Sequence, residues 1–532
     1  MNKSSSINKK LCIFAYIVFA GFTVIVSKIL WIQFQGIYER SHTETKPEET
    51  LKFRNRIIDR SGNILAISVP AYEYHVNPSF IIDVDVVVDK IKDIFPGVNT
   101  KSLHERLSSG VNGWFLVKMG INAEQKQKIV SSGIEGSFFR EYYTRFYPYG
   151  KMISHTIGYT RQSESHEIGM KGVERSMNSQ LLEKDVQLSL DATIQSVIYQ
   201  EIDGIFKQYR ANGAFAVLVD LQTREILSSI SLPDFNPTGQ INPKHHSHTN
   251  IPFSSVFNLG SVFKIFTVAL GLENGFYPKQ VLYLPREIPV TETFSVRDEH
   301  RSRDKMTLEE IVAYSSNVGV SIITQKVGFD KQRVFFQNLK MFEKPSFEIP
   351  SGEIASPLFV HKKWKDSMHY TASYGYGISL SPVHFLQIVS GLVYDGKILP
   401  LTLLKNTSIN TSNVKSVLSE QSIHNLQKML RSVVEIGTAK KATINGYSIC
   451  GKTGTSLKFN RELRKWDGEK KFLSFLSVFP CDKPRYAMYI GLDEPTNARL
   501  LQAGNTVVEA TSNIIHVVAP ILNIKPDKDG SS

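Results

Sequence analysis

Cysteine is scarce in this chain, with three residues in 532. Cys12 lies in the apolar N-terminal run, so only Cys450 and Cys481 remain for a folded region and a disulfide framework is excluded. One bridge between those two stays open, because a direct bridge requires a specific Cα spacing. Zinc-finger spacing is absent, as is any basic block interleaved with aromatics, so nucleic acid is not the expected partner. The net charge of +12 suits an anionic lipid surface, an acidic polymer or simply a basic exterior. His245, His246 and His248 sit close together, but no cysteine or acid stands at ligand spacing. No metal site is expected there, and the loop reads as solvated. No internal repeat is present. After the N-terminal run, no segment is apolar enough to cross a membrane, which excludes a multi-span protein.

That N-terminal run is the first positive signal. Residues 1–10 carry Lys3, Lys9 and Lys10 and no acid, residues 11–27 are uncharged, and residues 29–34 extend the stretch past Lys28. The total approaches the ~20 residues that a membrane span needs. A cleaved signal peptide is the alternative, but no small-residue cleavage site is evident and Trp31 suits an interfacial anchor. The positive-inside rule predicts a cytoplasmic tail at 1–10 and a single-pass anchor in the cytoplasmic (inner) membrane at 11–34. Everything beyond is then outside. Lys28 snorkels to the interface or faces a partner helix.

At about 150 residues per domain, the length predicts two or three domains. Residues 35–184 are mixed, with a strand-like run at 73–76, an amphipathic patch at 121–134 and ordered turns at 54–62 and 145–150. From 185 the pattern changes. Residues 186–190 alternate as a strand, and residues 191–206 carry apolar positions at helical spacing behind an Asp191 cap. Residues 214–220 read as a buried strand with 223–230 as its hairpin mate. Near the other end, 447–457, 472–479 and 485–492 read as strands, followed by a helix through Val507, Thr511, Ile514 and Val518 with Pro520 just beyond. Strands at both ends and helices between predict a sheet whose edges come from distant parts of the chain. The last residues, 525–532, read as a polar tail.

Three short motifs carry chemistry. Ser261 and Lys264 form an S-x-x-K after Gly260, opening a helix that runs to Gly275; at i and i+3 hydroxyl and amine share a face about 5–6 Å apart at Cβ. A serine at a helix start also lies near free backbone N–H groups. The amine activates that serine only when neutral, so burial or a neighbouring cation must lower its pKa. Ser315-Ser316-Asn317 follows a helix opened by a Thr307/Glu310 capping box. Lys452-Thr453-Gly454-Thr455 lies in a strand, where glycine admits a close ligand backbone, and the lysine and hydroxyls suit a carboxylate. Each motif alone is common. Their order and domain-scale spacing are not.

Together they resemble the class B penicillin-binding proteins, along nearly the whole chain. RNRIIDRSGNILA and GMKGVERSMNSQL are similar to the pedestal signatures of that class. NLGSVFKIFT, YSSNVG, SYGYGISLSPVHF and GKTGTSLK follow in family order, and YSSNVG with DKPRYAMYIGLDEP resembles the septal branch. The chain departs from the family at Asn55 and Ser61 in the pedestal motif, at Asn258-Leu259 before the serine, and at Arg224, a turn position usually held by Gly. The resemblance implies a mixed α/β (α+β) protein: one transmembrane helix, an extended pedestal (dimerisation-type) domain at 35–184, and a β-lactamase-like transpeptidase domain at 185–524 with a central antiparallel sheet flanked by helices. It implies a D,D-transpeptidase acting on D-Ala-D-Ala stem pentapeptides and acylated by β-lactams. Ser261 is then the nucleophile, Lys264 the base, Ser315 a proton relay and Asn317 a peptide-amide anchor. Lys452, Thr453 and Thr455 receive the carboxylate around Gly454, the N–H groups of Ser261 and Thr455 form the oxyanion hole, and no metal or organic cofactor is used. A membrane glycosyltransferase and division proteins are the implied partners. A β-lactamase would need a dedicated deacylating acid, a membrane-bound β-lactam sensor more spans or an effector, and a bifunctional class A enzyme a polymerase domain for which residues before 185 leave too little room. An elongation-type class B enzyme remains the nearest alternative.

Overall fold

This computed structural model describes residues 16, 18–31, 53–163, 167–239, 241–242, 245–299, 303–359, 364–406, 414–460 and 465–526. Residues 18–31 are helical with exposed side chains; the rest of the expected anchor, apart from residue 16, and the tail at 1–10 lie outside the described residues. Among the described residues, no helix is long and apolar enough to cross a membrane. Residues 1–52 and 53–532 are separate compact units.

In the second unit the central sheet runs Cys450–Asn460, Lys465–Phe479, Tyr486–Asp493, Gly213–Asp220, Ile226–Leu232, every pair antiparallel. Both edges therefore come from distant parts of the chain, as the strand pattern predicts. The three strands Tyr486–Asp493, Gly213–Asp220 and Ile226–Leu232 are buried at every position. Helices on both faces cause this, and it explains the apolar runs at 214–219 and 486–492, while Ile226–Leu232 buries Ser228, Ser229 and Ser231 as well. Ala192–Gln208 and Val507–Ile521 pack together against the sheet. Lys264–Glu273, Pro382–Val393 and Glu420–Glu435 form the second helical group, with Phe266 edge-on to Phe385. Asp191 caps Ala192–Gln208 by accepting from the amides of Thr193 and Ile194, a contribution of about 1 kcal/mol. Ile194, Ile198 and Ile202, spaced four apart, fill its buried face.

The expected serine helix differs in its first turn. Gly260–Phe263 is a 3-10 turn, and the α-helix is Lys264–Glu273. At the far end of the sheet, Pro520 lies inside the last turn of Val507–Ile521 rather than beyond it. The open question of the two cysteines is answered by register. Cys450 faces Val478 across the hairpin and the Cys481 amide donates to the Ser448 carbonyl, so Cys450 and Cys481 are bridged with Cα atoms 5.3 Å apart.

Before this sheet, Ile64–Val76 pairs with Phe115–Ile121 and Ser137–Phe146 around a small core that includes Tyr74, Ile91, Ile121 and Ile129. Ile57–Ile58 joins Ile64–Val76 to Val186–Gln187, where the main core begins. A buried ion cluster pins this base. Glu174 accepts from Arg54 Nε at 2.5 Å and from Arg145 Nε at 2.7 Å, and all three side chains are almost fully buried. Asp59 organises the adjoining turn by accepting from the amides of Ser61, Asn63 and Ala192. The two family departures here are absorbed. Asn55 bonds the Leu181 carbonyl through backbone and side chain, and Ser61 contributes only its amide to Asp59.

Candidate active site

The three sequence motifs converge on one cleft of about 190 Å³, lined by Ser261, Ser315, Asn317, Thr453 and Thr455 among others. Thr453, Thr455 and Leu457 alternate along Cys450–Asn460, so they share one side of the edge strand. Among the described residues that strand pairs with another strand on one side only, the arrangement that lets an edge add an extended peptide.

Glycine is required where the serine turn meets this strand. A Cβ on Gly454 would lie 3.0 Å from the Leu259 carbonyl and 2.5 Å from Ser474 Oγ. Gly375 has φ +95°, and its Cβ would fall 2.1 Å from the Gly260 carbonyl. Tyr376 lines the cleft and accepts from the Leu457 amide at 3.1 Å. Asn258, where the family pattern differs, ties two strands: its carbonyl accepts from the Ser456 hydroxyl at 2.6 Å and its side-chain oxygen from Ser379 at 3.2 Å.

The lysines are the electrostatic centre. Lys264 and Lys452 are both buried, and each amine donates to the same oxygen, Ser315 Oγ, at 3.0 Å. Lys264 also donates to the Ser315 carbonyl, and Lys452 to its neighbouring Thr453 carbonyl at 3.2 Å. Ser315 reaches this position in the left-handed region, at φ 61°, rare for a serine and a sign of local constraint. No carboxylate forms an ion pair with either amine among the described residues. Burial pushes the Lys264 amine down from 10.5 to about 8, although the charges of Asp298 and Glu299 oppose this. Burial, then repulsion from Lys264, holds Lys452 well below its ordinary value. The amines lie within about 6 Å of each other, where two like charges repel by about 3 kcal/mol at an effective dielectric constant of 20. They titrate as a coupled pair that readily gives up a proton. No hydrogen bond joins Ser261 Oγ to Lys264 directly; Lys264 is engaged with Ser315.

Other residues complete the site. Asp298 accepts from the Ser316 hydroxyl at 2.8 Å and the Val318 amide at 3.0 Å, locking the start of Asn317–Val327. Asn317 donates to the Arg297 carbonyl at 3.0 Å. Thr438 meets Thr453, hydroxyl to hydroxyl, at 2.6 Å. Sequence reasoning missed Asp298 and Thr438, since a lone acid or threonine in a loop carries no spacing signal. The histidine loop takes no part: His245 bonds Ser247, and His248 packs on Phe235.

The penicillin binding protein transpeptidase domain matches residues 214–515. The chain belongs to the class B penicillin-binding proteins. The penicillin-binding protein dimerisation domain matches residues 52–187 of the same chain. A probable peptidoglycan D,D-transpeptidase FtsI of Caulobacter vibrioides is 28% identical over 489 residues, covering 89% of this chain and 82% of that one. The peptidoglycan D,D-transpeptidase FtsI of Escherichia coli K12 is 24% identical, covering 94% and 90%. The fold of this penicillin-binding protein resembles that of penicillin binding protein 2X from Streptococcus thermophilus, with a TM-score of 0.73 at 20% identity, covering 89% of this chain and 80% of that one.

Proposed function

We propose that this penicillin-binding protein is a serine D,D-transpeptidase that cross-links peptidoglycan stem peptides during septal wall synthesis. The observation that carries the reading is the pair of buried lysines sharing Ser315 Oγ in the cleft that holds Ser261. Ser261 attacks the penultimate D-Ala carbonyl of a pentapeptide, and the terminal carboxylate docks against Lys452, Thr453 and Thr455, with Gly454 admitting the strand contact. That carboxylate favours the charge on Lys452, so the shared proton stays there and Lys264 is left neutral as the base. Ser315, bonded to both amines, relays the proton to the leaving D-Ala. Asn317 holds the peptide amide, and the amides of Ser261 and Thr455 receive the oxyanion. An amine from a second stem then resolves the acyl-enzyme. None of these steps requires a metal or organic cofactor. β-Lactams occupy the same site as acylating inhibitors.

The apolar N-terminal sequence supports a single-pass anchor in the cytoplasmic membrane with the catalytic region outside, and the domain matches at 52–187 and 214–515 support a pedestal at 35–184 that carries a catalytic domain at 185–524. The Cys450–Cys481 bridge suits an oxidising, extracytoplasmic setting. YSSNVG and DKPRYAMYIGLDEP favour the septal branch, with a membrane glycosyltransferase and division proteins as partners. Ser261→Ala tests the core of the reading: it abolishes fluorescent-penicillin labelling of a folded protein. Persistent labelling would move the nucleophile elsewhere.

A further inference from the structure

The cleft has two walls of opposite charge. Lys471, with the hydroxyls of Thr438, Thr453 and Thr455, makes one wall basic and rich in hydrogen-bond donors, and Lys452 is buried beside Thr453. Asp298 and Glu299, in the loop after Phe294–Val296, make the other acidic. The two acids differ in their commitments. Asp298 is fully used in fixing Ser316 and Val318. Glu299 is exposed, lines the same cleft as Ser261, and makes no hydrogen bond or ion pair with another described residue. Its charge reaches both Lys264 and Tyr376.

The transpeptidase reading, on which this inference rests, needs two substrates of opposite terminal charge. The donor ends in a carboxylate and is drawn to the basic wall. The acceptor arrives as a primary ammonium and is repelled by that wall. We propose that Glu299 receives the ammonium of the acyl acceptor and biases the acyl-enzyme towards amine rather than water. The ammonium loses one proton to solvent beside the carboxylate. The resulting amine attacks the ester carbonyl, the new amide C–N bond forms as the C–O bond to Ser261 breaks, and the amine's second proton passes through Lys264 to Ser261 Oγ. Glu299 thus acts as a specificity determinant for the acceptor.

The test uses the full chain, a thioester analogue of the acyl-D-Ala donor, and glycinamide or methanol as acceptor. Partition is read as acceptor product over hydrolysis product, per acyl-enzyme formed. Glu299→Gln raises the glycinamide concentration giving half-maximal aminolysis about fivefold, the scale of one exposed ion pair. It leaves methanolysis partition unchanged, and Glu299→Asp recovers part of the loss. An unchanged glycinamide partition in Glu299→Gln, or equal losses for glycinamide and methanol, overturns the inference alone. Absence of any acyl-enzyme in the unmodified protein, with donor or penicillin, overturns the transpeptidase reading and this inference together.

Discussion

Two buried charged clusters in this protein have opposite designs. In the region matched by the dimerisation domain, Glu174 lies between Arg54 and Arg145, and each guanidinium also reaches a backbone carbonyl, Arg54 that of Glu174 and Arg145 that of Arg54. In the cleft, Lys264 and Lys452 share one hydroxyl and no acid pairs with either among the described residues. In the first cluster one carboxylate is shared by two guanidiniums, and direct pairing offsets half of their charge. The second relieves its charge by giving up a proton, which is what a base needs. Burial is the same in both places. Compensation decides whether a buried charge holds the fold or does chemistry.

The contrast is broken most severely from the cleft side. Lys264→Met, similar in length and without charge, lowers the second-order rate of penicillin acylation by about 10²–10⁴-fold, the range for a positioned general base. The melting temperature is unchanged or raised, because an uncompensated buried cation has been removed. A large loss of stability would instead make Lys264 a structural group. At Glu174 the effects exchange places. Glu174→Gln leaves two buried guanidiniums without their anion and costs about 3–5 kcal/mol in denaturant unfolding. Acylation per folded molecule stays near that of the unmodified protein. If acylation fell with stability intact, the cluster would belong to the catalytic apparatus.

Much of the sheet was legible because 214–219 and 486–492 are buried on both faces and read as apolar text, and because Asp191 and Thr307 are explicit helix starts. The convergence of Ser261, Ser315 and Lys452 was legible only through the order and spacing of three motifs that are individually commonplace. Three features were hidden. The 3-10 geometry of Gly260–Phe263 depends on tertiary contact with the strand at Gly454, which local propensity does not encode. The cysteine bridge depends on hairpin register, which sets the Cα distance. The sharing of Ser315 Oγ by both lysines depends on the left-handed backbone at Ser315, an uncommon conformation for its residue type.

The central claim is that an uncompensated, buried lysine pair generates the base that activates Ser261. The most direct test is the pH dependence of the second-order acylation rate with penicillin between pH 6 and 9.5. Burial lowers the Lys264 amine to about 8, so its neutral fraction grows as the pH rises through that value. The predicted rate rises about tenfold per pH unit on the acid side, bends near pH 8 and levels above it. A rate independent of pH, or one still climbing uniformly at pH 9.5, would contradict the account.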